Sequence, residues 1–115
     1  MIRVYGIPNC GSVKKGLEWL RSHGLMFEFI DLKKNPVDED RIARWFKIGE
    51  GEKLLNTKGT KFRSLGVDAK VMSEAEMLSL IHKEQMVMKR PIIEWPDGSV
   101  TIGFNDALFA SKLSA

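Results

Sequence analysis

The N-terminal third of the chain has two runs of alternating apolar and polar residues, separated by a helical pattern. Residues 2–5 alternate around β-branched side chains and predict a strand that ends at the turn of residues 6–9. Apolar residues then recur at helical spacing, at Val13, Leu17 and Leu20, up to Gly24, which suits the left-handed residue after a helix. Residues 26–32 alternate again and predict a second strand. A strand, a helix of about a dozen residues and another strand imply a parallel pair with a right-handed crossover.

The middle of the chain predicts helices. Asn35 and Pro36 break the pattern, and acidic residues at 38–40 open a second predicted helix. Its expected apolar face comprises Ile42, Trp45, Phe46 and Ile48. Residues 50–71 are polar and lack periodicity, so we expect an irregular segment. Its expected core anchors are Leu54, Leu55, Phe62 and Leu65. Ser73 with Glu76 three residues later predicts a capped third helix. The expected buried stripe of that helix is Met77, Leu78, Leu80 and Ile81.

The C-terminal quarter returns to strand patterns. Residues 90–95 predict a strand entered through Pro91, residues 96–99 a hairpin turn, and residues 100–102 an antiparallel return strand. Asn105 is the expected cap of a closing helix over residues 105–113. This element order predicts an α/β fold of the thioredoxin-like (glutaredoxin-like) type, a mixed sheet flanked by helices. We expect one domain over residues 1–115, with a helical insert at approximately residues 35–85.

Composition narrows the class of protein. The chain has 115 residues, 43% hydrophobic and 29% charged, which is typical of a globular domain and excludes a disordered chain. A formal charge of +3 without a basic helix argues against direct nucleic-acid binding. No run approaches the roughly 18 apolar residues of a membrane span, and the N-terminus lacks the apolar core of a signal peptide. The only cysteine, Cys10, excludes an intramolecular disulfide. We therefore expect a cytoplasmic monomer that does not contact membranes.

Cys10 is the candidate nucleophile. It lies at the predicted N-terminus of the first helix, where unpaired backbone N–H groups and the macrodipole stabilise a thiolate. Lys14 and Lys15 add positive charge within about one turn, and Gly11 allows a substrate to approach the backbone. The alternative, a small buried hydrophobic cysteine, fits a strand-to-helix corner less well. Val13 occupies the position of the second cysteine in Cys-x-x-Cys, so Cys10 has no local resolving thiol. Any disulfide of Cys10 must form with another molecule, to be released by a small thiol such as glutathione or by a partner protein.

Two arginines are candidates for anion binding. Arg63 follows a glycine turn in a polar segment, and Arg90 directly precedes Pro91. If both face the thiol, they would bind an oxyanion or a carboxylate through planar two-point hydrogen bonds. Taken singly, each arginine is more often a solvated surface charge. His23 and His82 have no clustered partners, so we expect no metal site.

Four segments together carry a family resemblance. They read YGIPNC at residues 5–10, LNTKGTKFR at 55–63, KRPII at 89–93 and GFN at 103–105. With these segments and the element order, the chain resembles the arsenate reductase (ArsC)/Spx family over essentially its whole length. It is most similar to the small thiol-reductase-like branch. The resemblance implies a thioredoxin-like domain with an inserted helical segment.

The resemblance also implies roles for individual residues. In the arsenate reductases of this family a cysteine attacks arsenate, three arginines hold the oxyanion, and glutathione with glutaredoxin resolves the adduct. By resemblance, Cys10 is the nucleophile, and Arg63 and Arg90 take the first two arginine positions. The implied substrate-binding set is Asn9, Gly11, Lys14, Arg63, Arg90 and Pro91. Because thioredoxin-like folds place a cis-proline beside the active thiol, we predict a cis peptide bond before Pro91.

The chain departs from the arsenate reductase pattern at two positions. The third arginine would fall near Gly103 and is absent, and Gly6 replaces a histidine upstream of the cysteine. Losing a charge-assisted contact costs roughly 1.5–3 kcal/mol, so we do not expect efficient arsenate reduction. The Gly-Phe-Asn segment resembles the branch that handles glutathione or protein thiols.

Two functions follow as hypotheses. The first is a monothiol oxidoreductase with no bound cofactor, which uses glutathione as co-substrate or a glutaredoxin as partner. Its substrate would be a small anion or a disulfide. The alternative is an Spx-like regulator that binds RNA polymerase without catalysis. Val13, in place of a second cysteine, weakens the redox-switch form of that alternative but leaves docking open. The sequence favours the enzyme.

Overall fold

The computed structural model describes residues 1–113 of the chain. Its strands and helices, in chain order, are β1 (Ile2–Gly6), α1 (Gly11–Ser22), β2 (Phe27–Asp31), α2 (Glu39–Ile48), α3 (Thr60–Ser64), α4 (Glu74–Lys83), β3 (Ile92–Glu94), β4 (Val100–Ile102) and α5 (Asp106–Ser111). Single turns of 3₁₀ helix occupy Gly51–Lys53, Ala69–Val71 and Gln85–Val87. The chain divides into a sheet unit, formed by Met1–Asn35 and the chain from Arg90 onward, and a helical unit, Pro36–Lys89. That these residues form one domain stays a prediction.

The sheet unit contains one mixed four-stranded sheet in the order β2-β1-β3-β4. β1 runs parallel to β2, with Ile2 opposite Phe27. It runs antiparallel to β3, with Tyr5 opposite Ile92, and β3 pairs antiparallel with β4. The predicted parallel pair and the predicted C-terminal hairpin are therefore confirmed, and so is the mixed sheet with helices.

An aromatic cluster centred on Phe109 fills the core of the sheet unit. The Phe109 ring meets the rings of Trp19, Trp95 and Phe104 edge to face, at centroid distances of 5.4, 5.4 and 5.2 Å. Trp95 keeps its indole N–H satisfied by donating to Thr101 Oγ1 at 2.9 Å. The buried residues of the core around this aromatic cluster are Ile2, Val4, Leu20, Ile93, Trp95 and Phe109. Because they come from α1, α5 and alternate sheet positions, both helices pack against one face of the sheet.

Polar side chains set the ends of the helices in the helical unit. The Asp38 carboxylate accepts the N–H of Arg41 at 2.9 Å and caps α2. Ser73 and Glu76 form the reciprocal capping box predicted for α4, with bonds of 3.1 and 3.0 Å. Gln85 is 8% exposed and joins the 3₁₀ turn after α4 to the segment that precedes α2. Its amide donates to the carbonyl of Val37 at 2.6 Å and accepts the N–H of Val37 at 3.0 Å.

Four expectations for the helical unit need correction. Residues 50–71 are not simply irregular, because they contain α3 and two 3₁₀ turns, each too short to show periodicity. Phe62 is buried as expected, whereas Leu65 is only half-buried. Ile48 is 46% exposed, because it ends α2 one turn beyond the buried Trp45. In α4 only Ile81 is fully buried, and the other three residues of the expected stripe are half-buried.

Across the described part of the chain, no helix combines the length and the apolar character needed to cross a membrane.

Candidate thiol site

Cys10 lies where the sequence predicted it, at the start of α1. It is the N-cap residue, with an extended backbone at φ −134° and ψ 125°. Its carbonyl accepts the N–H of Lys14 at 2.9 Å, which is the first backbone hydrogen bond of the helix. The side chain is half-buried. The thiol is therefore beside the free N–H groups of the first turn and accessible to a reaction partner.

A close contact between Gly6 and Val13 shapes this corner. A Cβ atom at position 6 would lie 2.6 Å from Cγ2 of Val13, which is fully buried. A larger residue at position 6 would therefore have to displace Val13. The sequence placed Gly6 in a turn and Val13 on the apolar face of the first helix, but it did not indicate that the two are in contact. In the structure the end of β1 at Gly6 packs directly against Val13 in the first turn of α1, next to Cys10.

The surroundings of Cys10 favour its thiolate. Partial burial raises the pKa of the Cys10 thiol. The backbone N–H of Val13, the hydrogen bond and positive charge of Arg90, and the N–H of Ser12 act in the opposite direction. The thiol does not form a side-chain cap bond to α1, but these groups together outweigh burial and hold the pKa of Cys10 below its ordinary value. The nucleophilic form is therefore more populated at neutral pH than for an ordinary cysteine.

Arg90 and Pro91 form the other side of the site. The peptide bond between them is cis, as predicted. Pro91 is buried, and its Cγ would lie 3.2 Å from a Cβ at Gly16, so α1 approaches the proline closely at a glycine. The carbonyl of Pro91 accepts the N–H of Gly103 at 2.8 Å. Gly103 has φ +84°, a backbone conformation that strains residues other than glycine. This conformation agrees with a glycine at the position where the resemblance to arsenate reductases would place the third arginine.

The remaining predicted site residues lie in varied places. Asn9 is exposed in the turn before α1, and no atom lies within 4 Å of a Cβ built on Gly11, so both are accessible. Lys14 is exposed on α1, and the positive charge that lowers the pKa of Cys10 is that of Arg90. Arg63 is exposed on α3, within the helical unit. The substrate-binding roles of these residues stay predictions.

A shallow, open groove of about 550 Å³ lies along α1. It is lined by Lys14, Lys15, Glu18, Trp19, Ser22 and Phe104. The groove was not predicted from the sequence. The missed signal is the four-residue spacing of polar side chains that continues from Cys10 along the helix. Among residues 1–113, no three His, Cys, Asp or Glu side chains cluster to hold a metal ion.

These groups define what the site can do. A half-buried thiolate can act as a nucleophile, and the guanidinium of Arg90 offers planar donors to an anion. A mixed four-stranded sheet, with a cysteine at the first helix N-terminus near a cis-proline, defines a thioredoxin-like protein.

The chain belongs to the ArsC family, whose family model matches residues 5–111. It is 36% identical over 110 residues to YusI, an uncharacterized protein of Bacillus subtilis strain 168, with 91% of this chain and 92% of that protein covered. It is 28% identical over 108 residues to the global transcriptional regulator Spx of Streptococcus mutans, with 92% of this chain and 78% of Spx covered. A solved ArsC-related protein from Brucella melitensis is 32% identical with a TM-score of 0.74, over 99% of this chain and 95% of that one. The expected family is confirmed.

Proposed function

We propose that the protein is a monothiol oxidoreductase in which the Cys10 thiolate attacks a disulfide and glutathione restores the thiol. One observation carries this proposal. The half-buried Cys10 thiol combines a lowered pKa with a hydrogen-bonding, positively charged partner in Arg90. A thiolate with a cation beside it suits a substrate that carries negative charge, and glutathione has two carboxylates.

The proposed reaction balances without a second cysteine. The Cys10 thiolate attacks the glutathione sulfur of a mixed disulfide between glutathione and a substrate. The Cys10–glutathione bond forms, and the substrate sulfur leaves as a thiolate that takes a proton from solvent. A second glutathione thiolate then attacks the Cys10–glutathione disulfide, releases glutathione disulfide and regenerates Cys10. The substrate sulfur is reduced and the sulfur of the second glutathione is oxidised, while the first glutathione sulfur stays in a disulfide throughout. This scheme therefore does not require a second cysteine at position 13, where the chain has Val13.

Disulfide chemistry fits the chain better than arsenate reduction. Gly103 supplies no third arginine, and its left-handed conformation disfavours one. Arg63, as a second anion-binding arginine, belongs to the proposal, as do Asn9, Gly11, Lys14 and Pro91 as substrate-binding residues. A glutaredoxin is the alternative reductant. We further propose that the protein acts as a monomer in the cytoplasm, where a reduced glutathione pool would supply the second step.

A second candidate function is transcriptional regulation without catalysis. The similarity to Spx of Streptococcus mutans, over 78% of that regulator, favours it. In this case the protein would bind RNA polymerase, and Cys10 would be dispensable for docking. The similarity extends over 92% of this chain.

The experiment is intact mass after incubation with glutathione disulfide across a pH series, with Cys10→Ser as the control. We expect a single glutathione adduct on the wild type that forms well below the roughly pH 8.5 of an ordinary thiol, and none on the variant. An adduct that appears only at alkaline pH would contradict the proposal. A pull-down of RNA polymerase by both proteins then tests the second function, which predicts equal capture.

A further inference from the structure

The groove on α1 is aligned with the thiol. Cys10, Lys14, Glu18 and Ser22 are spaced four residues apart, so they lie in one row along the helix. The groove begins at Lys14, one turn or about 5 Å from Cys10, and its length to Ser22 is about 12 Å at 1.5 Å per residue. A molecule that reacts with the thiol could therefore continue directly into the groove.

The lining of the groove changes character along its length. Lys14 and Lys15 lie at the end nearest Cys10, and neither side chain makes an ion pair or a hydrogen bond within residues 1–113. Trp19 and Phe104 then contribute half-buried aromatic surface. The volume of about 550 Å³ is within the range of ligand sites. The groove thus carries a net positive charge, two lysines against Glu18, and an aromatic surface beyond the lysines.

We propose that this groove docks an extended segment of a protein substrate, acidic nearest the reacting sulfur and aromatic or aliphatic beyond it. The inference rests on the proposed thiol chemistry and names its substrate class. An extended chain rises about 3.3 Å per residue, so four residues fill the groove and two span the gap to Cys10. The two-carbon leaving group of a small disulfide, such as the mixed disulfide of glutathione and 2-mercaptoethanol, is too short to reach Trp19, about 13 Å from Cys10 along the helix at 1.5 Å per residue. The substrate is therefore a protein whose glutathionylated cysteine lies about two residues from such a segment.

The test compares two glutathionylated peptides of equal length. One carries two aspartates and then a phenylalanine, starting two residues from the modified cysteine, and the other carries lysines in place of the aspartates. Turnover with excess glutathione is followed through glutathione reductase and NADPH. We expect kcat/KM to be about three- to tenfold higher for the acidic peptide at low ionic strength. The preference should shrink at high salt, because exposed charges are screened.

Charge variants assign the preference to the groove. Lys15→Glu should lower kcat/KM for the acidic peptide about three- to tenfold. It should leave turnover of the mixed disulfide of glutathione and 2-mercaptoethanol unchanged. Glu18→Lys should raise kcat/KM for the acidic peptide. Lys34→Glu is the matched control, since Lys34 is exposed, undergoes the same charge change and does not line the groove. It should change neither activity.

The outcomes separate this inference from the proposed function. If the wild type reduces the small disulfide but does not distinguish the peptides, the docking inference is wrong and the thiol chemistry stands. Equal slowing of all substrates by Lys15→Glu also overturns it, because the groove would then serve glutathione itself. If nothing is reduced, the proposed function fails. Calorimetric binding of the acidic peptide with serine for cysteine then decides docking: binding that Lys15→Glu weakens supports it, and no binding overturns it.

Discussion

The sheet unit and the helical unit use their polar residues differently. In the sheet unit, Tyr5 pairs with Ile92, so the end of β1 and the start of β3 lie side by side. This pairing brings Cys10, just after β1, to Arg90, just before β3. In the helical unit, the carboxylate of Asp38, the Ser73–Glu76 box and the amide of Gln85 bond to backbone groups.

Polar residues of the sheet unit around Cys10 therefore determine reactivity, whereas those of the helical unit determine stability. Non-local strand pairing creates the reactive thiol, so a polar substitution there should change chemistry more than folding. In the helical unit, polar side chains supply hydrogen bonds to backbone groups that would otherwise have no partner. Substitutions of these residues should therefore change folding more than chemistry.

Gln85→Ala should lower the free energy of unfolding by about 2–4 kcal/mol, because it leaves two backbone groups of Val37 without their partner. Urea unfolding measures the loss. Lys83→Ala, at an exposed end of α4, is the control and should stay within about 0.5 kcal/mol of wild type. The pKa of Cys10 in the folded variant should be unchanged. A loss no larger than that of the control, or a changed pKa, would break the division.

Arg90→Gln should slow glutathione adduct formation at neutral pH about ten- to hundredfold, the equivalent of one lost charge-assisted hydrogen bond. The pKa of Cys10 should rise, because the variant removes both a hydrogen bond and a positive charge from the thiolate. The rate of iodoacetamide alkylation across a pH series reports that pKa. Arg90→Lys keeps the charge without the planar donors and should be intermediate. An unchanged alkylation profile in Arg90→Gln would show that Arg90 does not act on the thiol.

Gly6→Ala should cost about 1–3 kcal/mol, because the added Cβ meets Val13 in a packed corner. Val13→Ala should cost less in the Gly6→Ala protein than in the wild type, since the smaller side chain relieves the clash. A double-mutant cycle by urea unfolding measures this coupling. Strictly additive losses would mean that the two residues do not compete for the same space.

The smallest expected effect is a pH dependence of stability. The pKa of Cys10 is lowered in the folded protein, so between that pKa and the ordinary value the unfolded state binds more protons. The free energy of unfolding should therefore rise with pH across this window and level off above it. Below the folded pKa the thiol contributes nothing, because both states are protonated. Subtracting the profile of Cys10→Ser isolates this contribution, and a fall with rising pH would contradict the lowered pKa.

Local features were predictable from the sequence because their signals are local. The capping box of Ser73 and Glu76, the cap at Asn105 and the position of Cys10 at a helix start each depend on residues within one turn. The alternating runs likewise predicted the strands, although β3 is shorter than expected. The helix α3 was missed, because five residues are too few to show a period.

The contacts that define the thiol site required the fold. The chemistry of Arg90 supported an anion-binding role and the resemblance proposed one, but only the pairing of β1 with β3 brings it to Cys10. Nothing in the local sequence distinguishes Arg90 from Lys14 as the charge that acts on the thiol. The contact between Gly6 and Val13 also depends on how the end of a strand meets the following helix.

Val13 has a consequence for how long an oxidised state lasts. In a protein with two neighbouring thiols, the second sulfur attacks the first within the molecule, at a rate that the surroundings scarcely affect. Here that position holds a buried valine packed against Gly6. Under the proposed mechanism, each oxidised molecule waits for a thiol to arrive from solution. The lifetime of the oxidised state then varies inversely with the concentration of free thiol. Oxidised Cys10 is therefore reduced again as soon as the thiol concentration rises.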